Sequence, residues 1–264
     1  MQIQEIESMD LEKAQNIIVD FIREKVDKAG VSGAVVGISG GIDSALTATL
    51  TVKALGADKV LGIHMPEAGL TPESDREDAK ALAEWLGIEY RTIDISSIVS
   101  AFMAAVPESE SADRLSRGNL KARVRMSLLY FHANRLNLMV MGTGNKTEIL
   151  LGYYTKYGDG GVDIEPIGFL YKTEVWELAR KLGVPESIIS KKPSAGLWAG
   201  QTDEAELGMS YGTVDKVLTM LNEKQSPKNI EEVLSISEEQ LESVLRRMQS
   251  NEHKRNVPPI PELS

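Results

Sequence analysis

One stretch limits what this chain can fold into more than any other: Gly33 to Leu46, GAVVGISGGIDSAL. Ala34-Val35-Val36-Gly37-Ile38 has the length and β-branching of a buried strand. The pattern breaks at Ser39-Gly40-Gly41, and Ala45-Leu46-Thr47-Ala48 is good material for a helix start. A strand, a small-residue turn and a helix N-terminus together make an anion site. Glycines admit a phosphate close to backbone N–H groups, and the helix dipole favours negative charge there.

The residues of the turn narrow the chemistry. No Lys follows it, so it is not a Walker loop, and Ser39 stands where the dinucleotide fingerprint needs its second Gly. What remains is SGGxDS, with an acid inside a phosphate loop. Such an acid repels phosphate unless a cation lies between them. Asp43 therefore reads as a Mg²⁺ ligand bridged to a nucleotide, with Ser39 and Ser44 adding hydroxyls. The plain alternative is a tight strand-to-helix turn capped by Asp43 or Ser44.

Composition bounds the rest. The chain has 264 residues, enough for a large core, and its 39 acids against 29 bases give a net charge of −10. That balance argues against nucleic acid or an anionic membrane as partner. No apolar run approaches membrane-spanning length, so the expected location is the cytoplasm. The absence of cysteine rules out disulfides, thiolate metal sites and cysteine nucleophiles. With only His64, His132 and His253, a histidine-based zinc site is disfavoured.

Along the chain, strand and helix alternate. Apolar positions at helical spacing in residues 9–29 predict a first helix. Further strands are expected at Lys59–Met65, Ile88–Ile95 and Leu138–Met141. A helix is expected from Asn119 to about Leu136, after a polar loop at 107–118. This alternation signals a parallel sheet with helices on both faces. The second small-residue turn, Gly142-Thr143-Gly144-Asn145, ends a strand as the first does, and ligands of open α/β sheets sit at such ends. No repeat or linker is visible, so residues 1–264 are expected to form a single domain.

The motifs SGGIDSA, KARVR, GTGNKTE, TKYGDGGVDIEPIG, YKTEV, PSAGLWAGQTDE and HKR occur in that order. Together they resemble the NAD synthetase family of the ATP pyrophosphatases, in its short ammonia-dependent form, over nearly the whole chain. The resemblance implies a doubly wound, mostly parallel five-stranded sheet of the adenine nucleotide alpha hydrolase-like, Rossmann-like class. It implies ATP-dependent amidation of deamido-NAD to NAD with ammonia, through an adenylated nicotinate carboxylate, releasing AMP and pyrophosphate. The missing cysteine fits, because a fused glutaminase would need one as nucleophile.

By the same resemblance, ATP lies along Gly37, Ile38, Ser39, Gly40, Gly41, Ile42, Asp43 and Ser44, with Thr143, Lys172 and Ser194. Asp43 and Glu148 hold Mg²⁺, and Asp43 and Lys172 serve catalysis. Arg123, Lys156, Asp163, His253 and Lys254 take deamido-NAD. Lys172 opens a helix, where the dipole disfavours a cation, so an anionic partner, an ATP phosphate, is expected beside it. Family members are homodimers whose site is completed across the interface, and stretches 107–118 and 193–208 are expected to order on ligand binding. Two alternatives stay open at this point: another amidating ATP pyrophosphatase, such as a standalone GMP synthetase subunit, and a nucleotide-binding sensor without catalysis.

Overall fold

A computed structural model describes residues 9–194, 196, 198 and 201–261. The chain begins with α1 (Leu11–Ala29), β1 (Gly33–Gly37), α2 (Ile42–Leu55) and β2 (Val60–His64). Next come α3 (Glu73–Leu86), β3 (Glu89–Thr92), α4 (Ser96–Ala105), α5 (Arg114–Leu136) and β4 (Leu138–Met141). Then follow α6 (Lys146–Leu151), α7 (Lys172–Lys181), α8 (Glu186–Ile189) and α9 (Asp203–Leu207). The last helices are α10 (Tyr211–Asn222), α11 (Pro227–Leu234), α12 (Glu238–Ser250) and α13 (Glu252–Arg255).

The strands form one parallel sheet in the order β3-β2-β1-β4. β1 is central, and Ala34, Val35 and Val36 are fully buried because helices cover both faces. On one face, α1 sets Ala14, Ile18, Ile22 and Val26 at four-residue spacing against α2 and α7. Asp10 caps that helix by accepting the Glu12 and Lys13 N–H groups. On the other face, α4 and α5 bury Val99, Val124 and Ala133 against Val35, Ile63 and Val140. A separate apolar cluster joins α6, α10, α11 and α12 around Tyr211, Val214 and Leu241.

Three expectations change. Among the described residues the sheet has four strands, not five: beyond β4 only Ile164 pairs, as a single bridge to Met141. The Asp163 carboxylate takes the Val140 N–H that a fifth strand would use, and Pro166 has no N–H to extend the ladder. The helix expected from Asn119 starts at Arg114, because Asp113 accepts the Ser116 N–H and caps it there. The irregular stretch 193–208 contains α9. Among the described residues no helix is long and apolar enough to cross a membrane.

Candidate active site

Strand order reverses about β1, so the C-terminal ends of β1 and β4 flank a crevice. Both small-residue turns open into it. Ile38 still donates to Ile63, and then the chain leaves the sheet. Gly40 has φ +87°, and a Cβ there would lie 2.5 Å from the Asp75 carbonyl oxygen. Only glycine allows that turn and that approach.

The plain alternative of a side-chain cap does not hold. The N-cap of α2 is Gly41, with no side-chain cap bond, so no cap side chain occupies its first-turn N–H groups. The two serines instead knit the loop together. Their hydroxyls are 3.0 Å apart, Ser39 N–H donates to Ser44 Oγ, and Ser44 Oγ donates to the Gly41 carbonyl. Lys191 braces the loop from outside, its Nζ 3.1 Å from the Gly40 carbonyl and paired with Asp75 and Asp78 on α3.

The electrostatic centre is Lys172, only 1% exposed. Its Nζ lies 2.5 Å from Asp43 Oδ2 and 3.4 Å from Glu148 Oε1. The anionic partner that its helix-start position demands is thus supplied by both expected metal ligands. Burial works against its charge, but Asp43 and then Glu148 outweigh burial and hold it above the usual lysine range. Burial first, and Asp43 second, push Glu148 up to about 8 against the pull of Lys172.

The surrounding frame fixes these groups. Asn145, fully buried, donates to Asp43 Oδ1 at 2.9 Å and forms a capping box with Glu148 at the start of α6. Thr147 accepts the Lys172 N–H and donates to Asp215, which also takes the Thr173 N–H. The rings of Tyr211 and Trp176 lie 5.2 and 5.9 Å from Lys172 Nζ.

Magnesium can be tested against these donors. Among the described residues no group of three or more acids or histidines is placed to hold a metal ion. Mg²⁺ needs no such cage: it keeps waters and phosphate oxygens and uses one or two carboxylates. Asp43 and Glu148 converge on one cation beside an uncapped helix start, so the residues present fit it.

The other expected residues fall into two places. Thr143 lies half-buried in the second turn, whose Gly144 N–H donates to Glu165 at 3.0 Å. Ser194 is exposed and accepts the Gly196 N–H; no hydrogen bond among the described residues ties it to the phosphate loop. Part of its motif, residues 195, 197, 199 and 200, lies outside the described residues.

Arg123, Lys156 and His253 come together: Arg123 donates to the Lys156 carbonyl, and Lys156 Nζ to the His253 carbonyl. Lys254 grips the Gly152 and Tyr154 carbonyls. Asp163 accepts from Tyr130 Oη and the Val140 N–H. Asp163 and Lys254 line one pocket of about 280 Å³ with Tyr154, Glu165 and Arg255.

Sequence reasoning missed Glu165, Lys191, Asn145 and Asp203. Burial pushes Glu165 up to about 8. Asp203 on α9 accepts from Tyr153 and Tyr211, bringing the 201–208 stretch up to the Lys172 cluster. Asn145 alone carried a usable signal, an Asn three residues before Glu after a strand.

The chain is similar to known proteins over nearly its whole length. The profile of the NAD synthase family matches residues 14–258. The NH(3)-dependent NAD(+) synthetase of Methanosarcina mazei is 74% identical over 255 residues, covering 97% of this chain and 100% of that one. Two solved structures are similar over 97% of this chain and 100% of theirs. One is the NMN synthetase of Francisella tularensis, with TM-score 0.85 and 35% identity. The other is the NH3-dependent NAD synthetase of Campylobacter jejuni in complex with the nitrate ion, with TM-score 0.80 and 37% identity.

Proposed function

The chain belongs to the NAD synthase family, and we propose that its crevice joins ATP to deamido-NAD so that ammonia can form the amide. It is a ligase with the activity of an NH3-dependent NAD(+) synthetase. The reading of the site rests above all on Asp43, Lys172 and Glu148 meeting beside the uncapped start of α2.

In this reading the triphosphate lies along Ile38–Ser44, with its charge at the α2 N–H groups. Asp43 and Glu148 hold Mg²⁺, which neutralises phosphate charge when bound. Lys172 then turns from the carboxylates toward the phosphates. The nicotinate carboxylate attacks the α-phosphorus, pyrophosphate leaves, and ammonia displaces AMP from the carbonyl. Thr143 and Ser194 complete the ATP side. Arg123, Lys156, Asp163, His253 and Lys254 hold deamido-NAD, supported by their shared network and pocket. Positioning and charge stabilisation carry most of the adenylation chemistry.

A homodimer belongs to this reading. Phe102 on α4 and Leu115 and Phe131 on α5 are each more than half exposed, apolar side chains that a second copy would cover. A second substrate, nicotinate mononucleotide, is favoured by one observation, the likeness to the Francisella NMN synthetase.

The test is direct. The protein is incubated with ATP, Mg²⁺ and ammonium, and with deamido-NAD or nicotinate mononucleotide in parallel. NAD and AMP from the first mixture support the main reading, and faster product from the second supports the other. ATP binding with no AMP in either mixture overturns both.

A further inference from the structure

Arg125 is a half-buried cation that forms no ion pair among the described residues. Its Nε donates to the Met65 carbonyl at 2.9 Å. The four N–H bonds of its two Nη atoms make no hydrogen bond to any described residue, and no described carboxylate stands within ion-pair reach. Burial pulls its pKa down, and the two acids that oppose this, Glu67 and Asp159, are engaged elsewhere. Glu67 pairs with Lys121 at 2.7 Å, and Asp159 accepts the Thr155 N–H. The half-buried guanidinium stays charged, and its two Nη atoms remain open to solvent and to a ligand.

Its place in the fold indicates which anion its free fork would meet. Leu129, one turn further along α5, touches the position a Cβ on Gly37 would occupy, at the end of β1. Arg125 therefore stands at the C-terminal rim of the sheet, where Met65 leaves β2. Neighbouring α5 residues Ala122 and Met126 pack on Gly158 and Gly161, in the turn whose Gly160 lines the pocket of Asp163 and Lys254. Lys172 and Asp43 approach the crevice from α7 and α2, on the opposite face of the sheet. Arg125 thus lies across the crevice from the triphosphate loop and beside the second-substrate pocket. In the proposed reaction one anionic group passes between those two places, the α-phosphoryl of ATP.

We propose that Arg125 is a further substrate-binding residue, whose free guanidinium fork holds the α-phosphoryl group during its transfer from pyrophosphate to the nicotinate carboxylate. This rests on the reading of the site given above. A carboxylate oxygen forms the new bond to the α-phosphorus. The bond to the bridging oxygen breaks with its electron pair on pyrophosphate, and no proton moves. The planar fork suits two equatorial phosphoryl oxygens at once.

The experiment compares AMP with adenosine by calorimetry in wild type, Arg125→Met and Arg125→Lys, because the two ligands differ only in the α-phosphate. Arg125→Met is expected to lower the preference for AMP over adenosine roughly 10–100-fold, with Arg125→Lys between it and wild type. Deamido-NAD-dependent exchange of pyrophosphate into ATP should fall about 10²-fold in Arg125→Met. An unchanged AMP preference in a folded Arg125→Met overturns the proposal. If circular dichroism shows that variant unfolded, an Arg125→Lys with wild-type preference and wild-type exchange overturns it instead. Wild-type protein that binds ATP but never exchanges pyrophosphate overturns the underlying reading, and this proposal with it.

Discussion

Replacing Lys172 by Met tests the centre of the site. The substitution keeps the length of the stem and removes the charge. Asp43 and Glu148, with side chains only 19% and 17% exposed, are then left facing each other without their cation. Removing one partner from a buried ion pair costs about 3–5 kcal/mol, because the remaining charge is stranded. For a chain of this size that corresponds to a fall in Tm of about 6–20 °C. The loss must depend on pH. Glu148 is already held at about 8 with Lys172 in place. Its folded pKa lies above the ordinary carboxylate value, so its contribution to stability is present at low pH and lost as pH rises through about 8. Without Lys172 the carboxyl is pushed higher still, and the loss on going alkaline grows. Thermal melts of both proteins at about pH 5 and about pH 9 should show a small gap in the first and a large one in the second. Mg²⁺ should raise the Tm of Lys172→Met more than that of wild type, because it replaces the missing cation between the same two carboxylates. A gap of equal size at both pH values, or a variant melting with wild type throughout, would refute the reasoning.

Two further substitutions probe the frame. Gly40→Ala places a Cβ 2.5 Å from the Asp75 carbonyl oxygen at a left-handed φ of +87°; the φ alone costs about 1–2 kcal/mol, and the clash adds to it. Its ATP affinity, measured by calorimetry, should fall at least about tenfold, since the turn that presents N–H groups to phosphate must move; wild-type affinity would count against the loop assignment. Glu165, pushed up to about 8 by burial, binds its proton more tightly in the folded chain than in the unfolded one. Wild type therefore loses stability as pH rises from the ordinary carboxylate range to about 8. Glu165→Gln should match wild type near pH 5 and melt higher than wild type near pH 9; parallel profiles would show that Glu165 is not the buried acid described.

Much of the architecture was legible because its signals are local. The run Ala34–Ile38, the stop at Ser39-Gly40-Gly41 and the stripe of α1 each lie within a few turns of chain, where propensity and periodicity act. The absence of a fifth strand was not legible. Whether Ile164 extends into a ladder depends on the Asp163 side chain reaching the Val140 N–H, a contact across 23 positions. The helix start at Arg114 was missed although Asp113 is a good cap, because the polar run 107–118 also reads as loop.

Residue chemistry alone, then, determined that the chain has a small-residue turn with an acid inside it, set in an alternating α/β frame. It could also say that Lys172, at a helix start, wants an anion. Only tertiary structure showed that two carboxylates of the chain itself meet it there. Asp43 lies 129 positions away and Glu148 lies 24 away, and they meet Lys172 because β1 and β4 are neighbours at the switch in strand order. Lys191 reaches Gly40 across 151 positions, with no local pattern to announce it. Electrostatic partnership depends on distance and burial in space, and neither is written in the spacing of residues along a chain.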